Sequence, residues 1–137
     1  MNGKAILIIE DDPVIRLGLH VSLKANHYTT YLADDAIVSI AEARKHQPDL
    51  IILDLGLPAG DGFVVMERLK QFPMLSTIPV IVVSGRDPRE AERKALECGA
   101  SAFLQKPVDS QVLLSVIRRL IPKDPVPQAW AQDSANA

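Results

Sequence analysis

Ala5-Ile6-Leu7-Ile8-Ile9-Glu10-Asp11-Asp12-Pro13 is an unbroken apolar run that ends in three acids and a proline. A continuous apolar run of that length, bounded by turn residues, reads as a strand covered on both faces. Asp12-Pro13 then reads as a helix cap followed by proline in the first helical position. The helix it opens carries Ile15, Leu19 and Leu23 on one face. Four further runs repeat the strand signal, at Tyr28–Leu32, Leu50–Leu53, Val80–Val83 and Ala102–Leu104. Stretches of helical period lie between them. Asp61 is placed to cap a helix with Phe63, Met66 and Leu69, Gly99 follows Cys98 as a stop, and Asp109 is placed to cap the last helix. In that helix Val112, Leu113, Val116, Ile117, Leu120 and Ile121 form the apolar stripe. Strand and helix alternating in this way predict right-handed crossovers and a doubly wound α/β domain, a five-stranded parallel sheet with five helices. The fourth helix, roughly Arg89–Cys98, has a thin apolar stripe (Ala91, Ala95, Leu96) and a Glu90/Lys94 pair one turn apart. Little buried area makes it the element most easily displaced.

The 137 residues suit a single domain, and 47% hydrophobic residues exclude intrinsic disorder. A formal net charge of −2 gives no basic footprint for nucleic acid. The lone Cys98 excludes an internal disulfide and a cysteine-rich zinc site. No apolar run approaches the ~20 residues of a membrane helix. The short run after Lys4 is no signal peptide either, because acids stand where small residues would mark cleavage. The expectation is a cytoplasmic protein with one domain over residues 1–122. Residues 123–137, with Pro125, Pro127 and a single Trp130, read as a flexible proline-containing tail or linker.

In an open parallel sheet, sites form beyond the carboxyl ends of the strands. The first strand ends in Glu10-Asp11-Asp12, the third in Asp54, the fourth in Ser84-Gly85, and the fifth runs into Lys106-Pro107. The second, ending near Ala33, delivers no such group. Carboxylates converging from two strands repel unless a cation lies between them. Oxygen donors without imidazole or thiolate suit Mg²⁺. A metal with a lysine beside it is equipment for phosphoryl transfer, and a carboxylate such as Asp54 can then act as nucleophile and become an aspartyl phosphate. Asp12 reads as a cap and not as a ligand. A new phosphoryl group adds charge and strong acceptors, to which the Ser84 hydroxyl can turn, vacating space for Phe103.

Four segments, Ile6–Pro13, Asp49–Gly62, Ile78–Gly85 and Gly99–Pro107, together resemble the receiver domain of two-component response regulators, in its chemotaxis-regulator-like single-domain form. The resemblance spans about Lys4 to Ile121 and implies the strand order 2-1-3-4-5 of the flavodoxin-like fold. It implies that Asp54 is the phosphoacceptor, served by the histidine of a sensor kinase or a phosphotransfer protein. Asp11, Asp54 and the backbone carbonyl of Gly56 would ligate Mg²⁺, with Glu10 acting mostly through water. Lys106 would pair with Asp54 and then with a phosphoryl oxygen, before a Lys106-Pro107 peptide that is cis. Ser84 and Phe103 fill the switch positions, and the surface of the fourth helix, fifth strand and fifth helix would change with them. The implied protein is a switch with slow self-dephosphorylation, not a turnover enzyme. Leu57 departs from the methionine usual at its position; Gly56 and Arg86 occupy variable ones.

Other functions fit less well. A haloacid-dehalogenase-type phosphatase carries a second aspartate two residues beyond its nucleophile, and Gly56 stands there. A nucleotide-binding domain needs a glycine-rich loop where this chain has Glu10–Pro13. A histidine phosphotransfer protein needs a helical bundle, whereas His20, His27 and His46 are scattered through an α/β pattern. A degenerate receiver, kept as an unphosphorylated docking module, is the remaining alternative. No output module follows Ile121 in this sequence. One expectation is a stand-alone regulator whose last helices, with Arg118 and Arg119, dock on a partner or a second copy. The other is a receiver belonging to a longer protein.

Overall fold

A computed structural model describes residues 3–58 and 61–122. The expected tail, Trp130 included, lies outside the described residues. The strands are β1 (Ala5–Ile9), β2 (Thr29–Ala33), β3 (Leu50–Asp54), β4 (Val80–Ser84) and β5 (Ala102–Gln105). The helices between and after them are α1 (Pro13–Ala25), α2 (Ala36–His46), α3 (Gly62–Lys70), α4 (Pro88–Glu97) and α5 (Ser110–Leu120). The sheet order is β2-β1-β3-β4-β5, with every neighbouring pair parallel. This is the doubly wound arrangement expected.

The apolar runs are continuous because successive residues go to opposite faces and both faces are covered. Leu7, Ile9, Ile51, Leu53, Val80 and Val82 pack beneath α2, α3 and α4, against Ala43, Val65, Met66, Leu69 and Ala95. Ile6, Ile8, Leu50, Ile52, Ile81 and Val83 pack beneath α1 and α5, against Leu23, Leu113, Leu114 and Ile117. Each such side chain, fully buried, contributes about 1.5–3 kcal/mol of transfer free energy.

The helix starts follow the expected side chains. Asp12 Oδ1 accepts from the amides of Val14 and Ile15, and Asp61 Oδ1 from that of Phe63. Asp109 Oδ1 accepts from Gln111 and Val112. Gly99 takes φ 101°, the left-handed region that a chain leaving a helix needs and that glycine adopts without strain. At α4 two details differ from expectation. Leu96 is exposed while Ala91 and Ala95 are buried, so two methyl groups carry the packing stripe. The pair on this helix is Arg93–Glu97, and Lys94 instead lies 4.3 Å from the ring centroid of Phe63. In α5, Val112 is exposed and Leu114 takes the core position.

Candidate functional site

The sheet reverses direction of growth at β1: the chain steps outward to β2, then returns to place β3 on the other side. The crevice between the carboxyl ends of β1 and β3 is the topological switch point, where open α/β sheets bind their ligands. Glu10 and Asp11 leave the end of β1, and Asp54 closes β3. One carboxylate oxygen from each of the three lies within 4.8 Å of the other two.

The three acids sit in unequal surroundings. Asp11 is exposed, whereas Glu10 is 1% and Asp54 5% accessible. Lys106, carried to the same rim by the chain after β5, reaches across the end of β4. Its Nζ lies 3.0 and 3.1 Å from the two carboxylate oxygens of Glu10 and 3.2 Å from Asp54 Oδ1. The Lys106 amide donates to the carbonyl of Ser84, and the Lys106-Pro107 peptide is cis. Burial raises the pKa of Glu10 to about 7, with the Asp54 charge adding to it, and the hydrogen bond from Lys106 opposes that rise. Burial pulls the Lys106 ammonium down. The hydrogen bond to Glu10 and the attraction of both carboxylates more than reverse this, so its pKa stands above that of a free lysine.

Ser84, the last residue of β4, is 1% accessible, and its Oγ accepts from the amide of Arg86 at 3.0 Å. Phe103 is half-buried on β5, in register with Val82 and packed against the core beneath α4. The Gly56 amide donates to Asp54 Oδ1 at 3.3 Å, which places that peptide at the mouth of the crevice. Asp12 caps α1, as expected, and the group of three clustered acids is Glu10, Asp11 and Asp54.

Reasoning from sequence missed three features of the rim. Lys106 was expected on Asp54, and it also pairs with both oxygens of Glu10. Arg86 donates to Asp61 Oδ2 at 3.0 Å and to the carbonyl of Leu55 at 3.3 Å, tying the loop after β4 to the loop after β3. Arg16 Nη1 donates to the carbonyls of Glu10 at 2.9 Å and Asp11 at 3.4 Å. A basic residue one turn into a helix that follows an acidic loop was the available signal for Arg16; nothing local marked the other two.

The donor chemistry suits a hard divalent cation. Carboxylates with no nitrogen or sulfur donor among them suit Mg²⁺, which takes one or two directly and keeps several waters.

Residues 6–118 match the response regulator receiver domain family. This chain belongs to that family. As a receiver domain of a two-component system it is 40% identical over 102 residues to the KDP operon transcriptional regulatory protein KdpE of Escherichia coli. That match covers 74% of the chain and 44% of KdpE. It is 38% identical over 116 residues to the response regulator PleD of Caulobacter vibrioides, covering 84% of the chain and 25% of PleD. The receiver thus spans between a quarter and about half of these curated relatives. The crystal structure of the receiver domain of a sensor histidine kinase from Pseudomonas aeruginosa superimposes with a TM-score of 0.80 at 26% identity. It covers 87% of this chain and 98% of that one, which holds a magnesium ion in its active site cleft. Among the described residues, no helix is long and apolar enough to cross a membrane.

Proposed function

We propose that this receiver accepts a phosphoryl group on Asp54 from the phosphohistidine of a sensor histidine kinase or histidine phosphotransfer protein in the cytoplasm. The observation that carries the reading is the acidic trio at the switch point with the Lys106 ammonium 3.2 Å from Asp54. An Asp54 carboxylate oxygen attacks phosphorus, a P–O bond forms as the P–N bond breaks, and the departing imidazole recovers its proton from solvent. Asp11, Asp54 and the carbonyl of Gly56 would hold Mg²⁺, with Glu10 mostly through water. The ion supplies positive charge against the equatorial phosphoryl oxygens. Lys106 holds Asp54 before transfer and takes up a phosphoryl oxygen after it.

The product carries acceptors that the free carboxylate lacks. Ser84 gives up the Arg86 amide to donate to one of them, and Phe103 turns into the space released. The face of α4, β5 and α5 then changes. This is the surface offered to a downstream protein or a second copy, since α4 is held by little more than two alanines. The donor docks on α1. Its outer face carries Val14, Leu17 and Val21, which are 78%, 60% and 58% exposed, with Gly18 open between them. Such an apolar stripe beside a reactive rim suits the helix that presents a phosphohistidine. The group later leaves by slow hydrolysis, so the domain is a switch and not a turnover enzyme.

Incubation with acetyl phosphate and Mg²⁺, read by intact mass, tests the reading. One phosphoryl group should be gained by the native protein and none by Asp54→Ala. A native mass that never rises would leave a docking module that acts without phosphorylation.

A further inference from the structure

We propose that Arg16 is a positioning residue of the Mg²⁺ site, holding the Glu10–Asp11 backbone so that both side chains turn toward Asp54. The proposal rests on the metal reading given above. Arg16 lies one turn into α1, where its amide closes an early hydrogen bond of the helix, to the carbonyl of Asp12 at 2.9 Å. Side chains on a helix lean back toward its N-terminus, and that lean carries the guanidinium over the loop preceding the helix. There a single nitrogen, Nη1, serves two successive carbonyls, those of Glu10 and Asp11.

The loop needs such a hold. It carries two carboxylates whose oxygens lie within 4.8 Å of each other and of a third, so without a cation the side chains push apart. Glu10 is fixed at its other end by its amide, which donates to the carbonyl of Ala33 on β2 at 3.0 Å, and at its side chain by Lys106. Asp11 is exposed, and among the described residues no donor fixes the direction of its carboxylate from the protein side. Its orientation follows from the peptides on either side. Arg16 holds both through their carbonyls, and Asp12 anchors the chain beyond them by capping α1. A cation in the first turn of a helix faces the positive end of the helix dipole and works against it. Its presence there is explained by the carbonyls it holds. A guanidinium suits the task because Nη1 carries two N–H donors held in one plane, one for each carbonyl.

The test is a Mg²⁺ titration of the full chain followed by backbone amide shifts, on native protein and on R16M, R16K, K24M and D11N. Partners that orient metal ligands typically cost about tenfold or more in affinity when removed. R16M should therefore raise the Mg²⁺ dissociation constant about tenfold. R16K should raise it less, since an ammonium keeps the charge and donors without the planar geometry that aims them. Lys24 is exposed near the other end of α1, so K24M makes the same charge change and should leave the affinity alone. In metal-free R16M the Asp11 and Asp12 amide signals should shift from their native positions, with the sheet amides unchanged. Native affinity in R16M overturns the proposal, as does an equal loss in K24M, which would make the effect one of net charge. If R16M fails to fold, R16K decides alone, and native affinity there overturns it. D11N separates the two levels. If it binds Mg²⁺ like the native protein, the metal reading itself fails; if it does not bind while R16M does so normally, only the role of Arg16 fails.

Discussion

Replacing Glu10 by glutamine should flatten the pH dependence of stability in the metal-free receiver. Glu10 is almost wholly buried, and burial is the largest cause of a pKa raised from 4.5 to about 7. An acid that holds its proton more tightly when folded stabilises the fold while protonated. That contribution is complete below its unfolded pKa, fades as the pH climbs, and is gone once the pH passes the folded pKa. A rise of this size corresponds to about 3 kcal/mol between the two ends of the range. Urea unfolding in chelator at about pH 5 and about pH 8 reads it out. Native protein should lose about 2–3 kcal/mol more than Glu10→Gln across the interval. Lys106 is not stranded in the variant, because Asp54 Oδ1 remains 3.2 Å from its Nζ. Mg²⁺ supplies a second arm at the alkaline end. At one hundred times its dissociation constant it should return about 2.7 kcal/mol to the native protein. Parallel curves for native and variant in chelator would refute the reasoning, since burial of Glu10 would then cost nothing.

Two further substitutions test how the loops around the site are built. A Cβ on Gly62 would lie 2.7 Å from the carbonyl oxygen of Asp54 and 2.8 Å from the Cα of Leu55, both backbone atoms. Gly62→Ala should therefore cost about 1–3 kcal/mol in urea unfolding and shift the Asp54 and Leu55 amide signals. Asp12→Ala removes the side chain that accepts from Val14 and Ile15, and should cost about 1 kcal/mol while leaving Mg²⁺ binding intact. Loss of Mg²⁺ binding on that change would make Asp12 a ligand.

The strands were legible because a sheet covered on both sides leaves no polar residue inside a run such as Leu50–Leu53, and the caps because Asp12, Asp61 and Asp109 each precede a helical pattern. The acids at the rim were legible for the same reason: a residue that breaks an apolar run marks the end of its strand. What the sequence left open is what depends on meeting across the fold. Lys106 and Glu10 stand 96 positions apart, and no local pattern says which carboxylate the ammonium prefers. Helix α1 shows the limit most clearly. Periodicity alone offers two stripes on it, one through Ile15, Leu19 and Leu23, the other through Val14, Leu17 and Val21, and both are apolar at helical spacing. The sheet chooses the first, burying Leu23 and packing on Leu19, while Ile15 stays partly open near the rim. Choosing one stripe leaves the other in water, at a cost that a helix evolved only for packing would avoid with a lysine or a glutamate. The outer face of α1 is apolar beside Asp11 and Arg16, so the same helix that shapes the acidic loop also carries the surface on which a phosphodonor would settle.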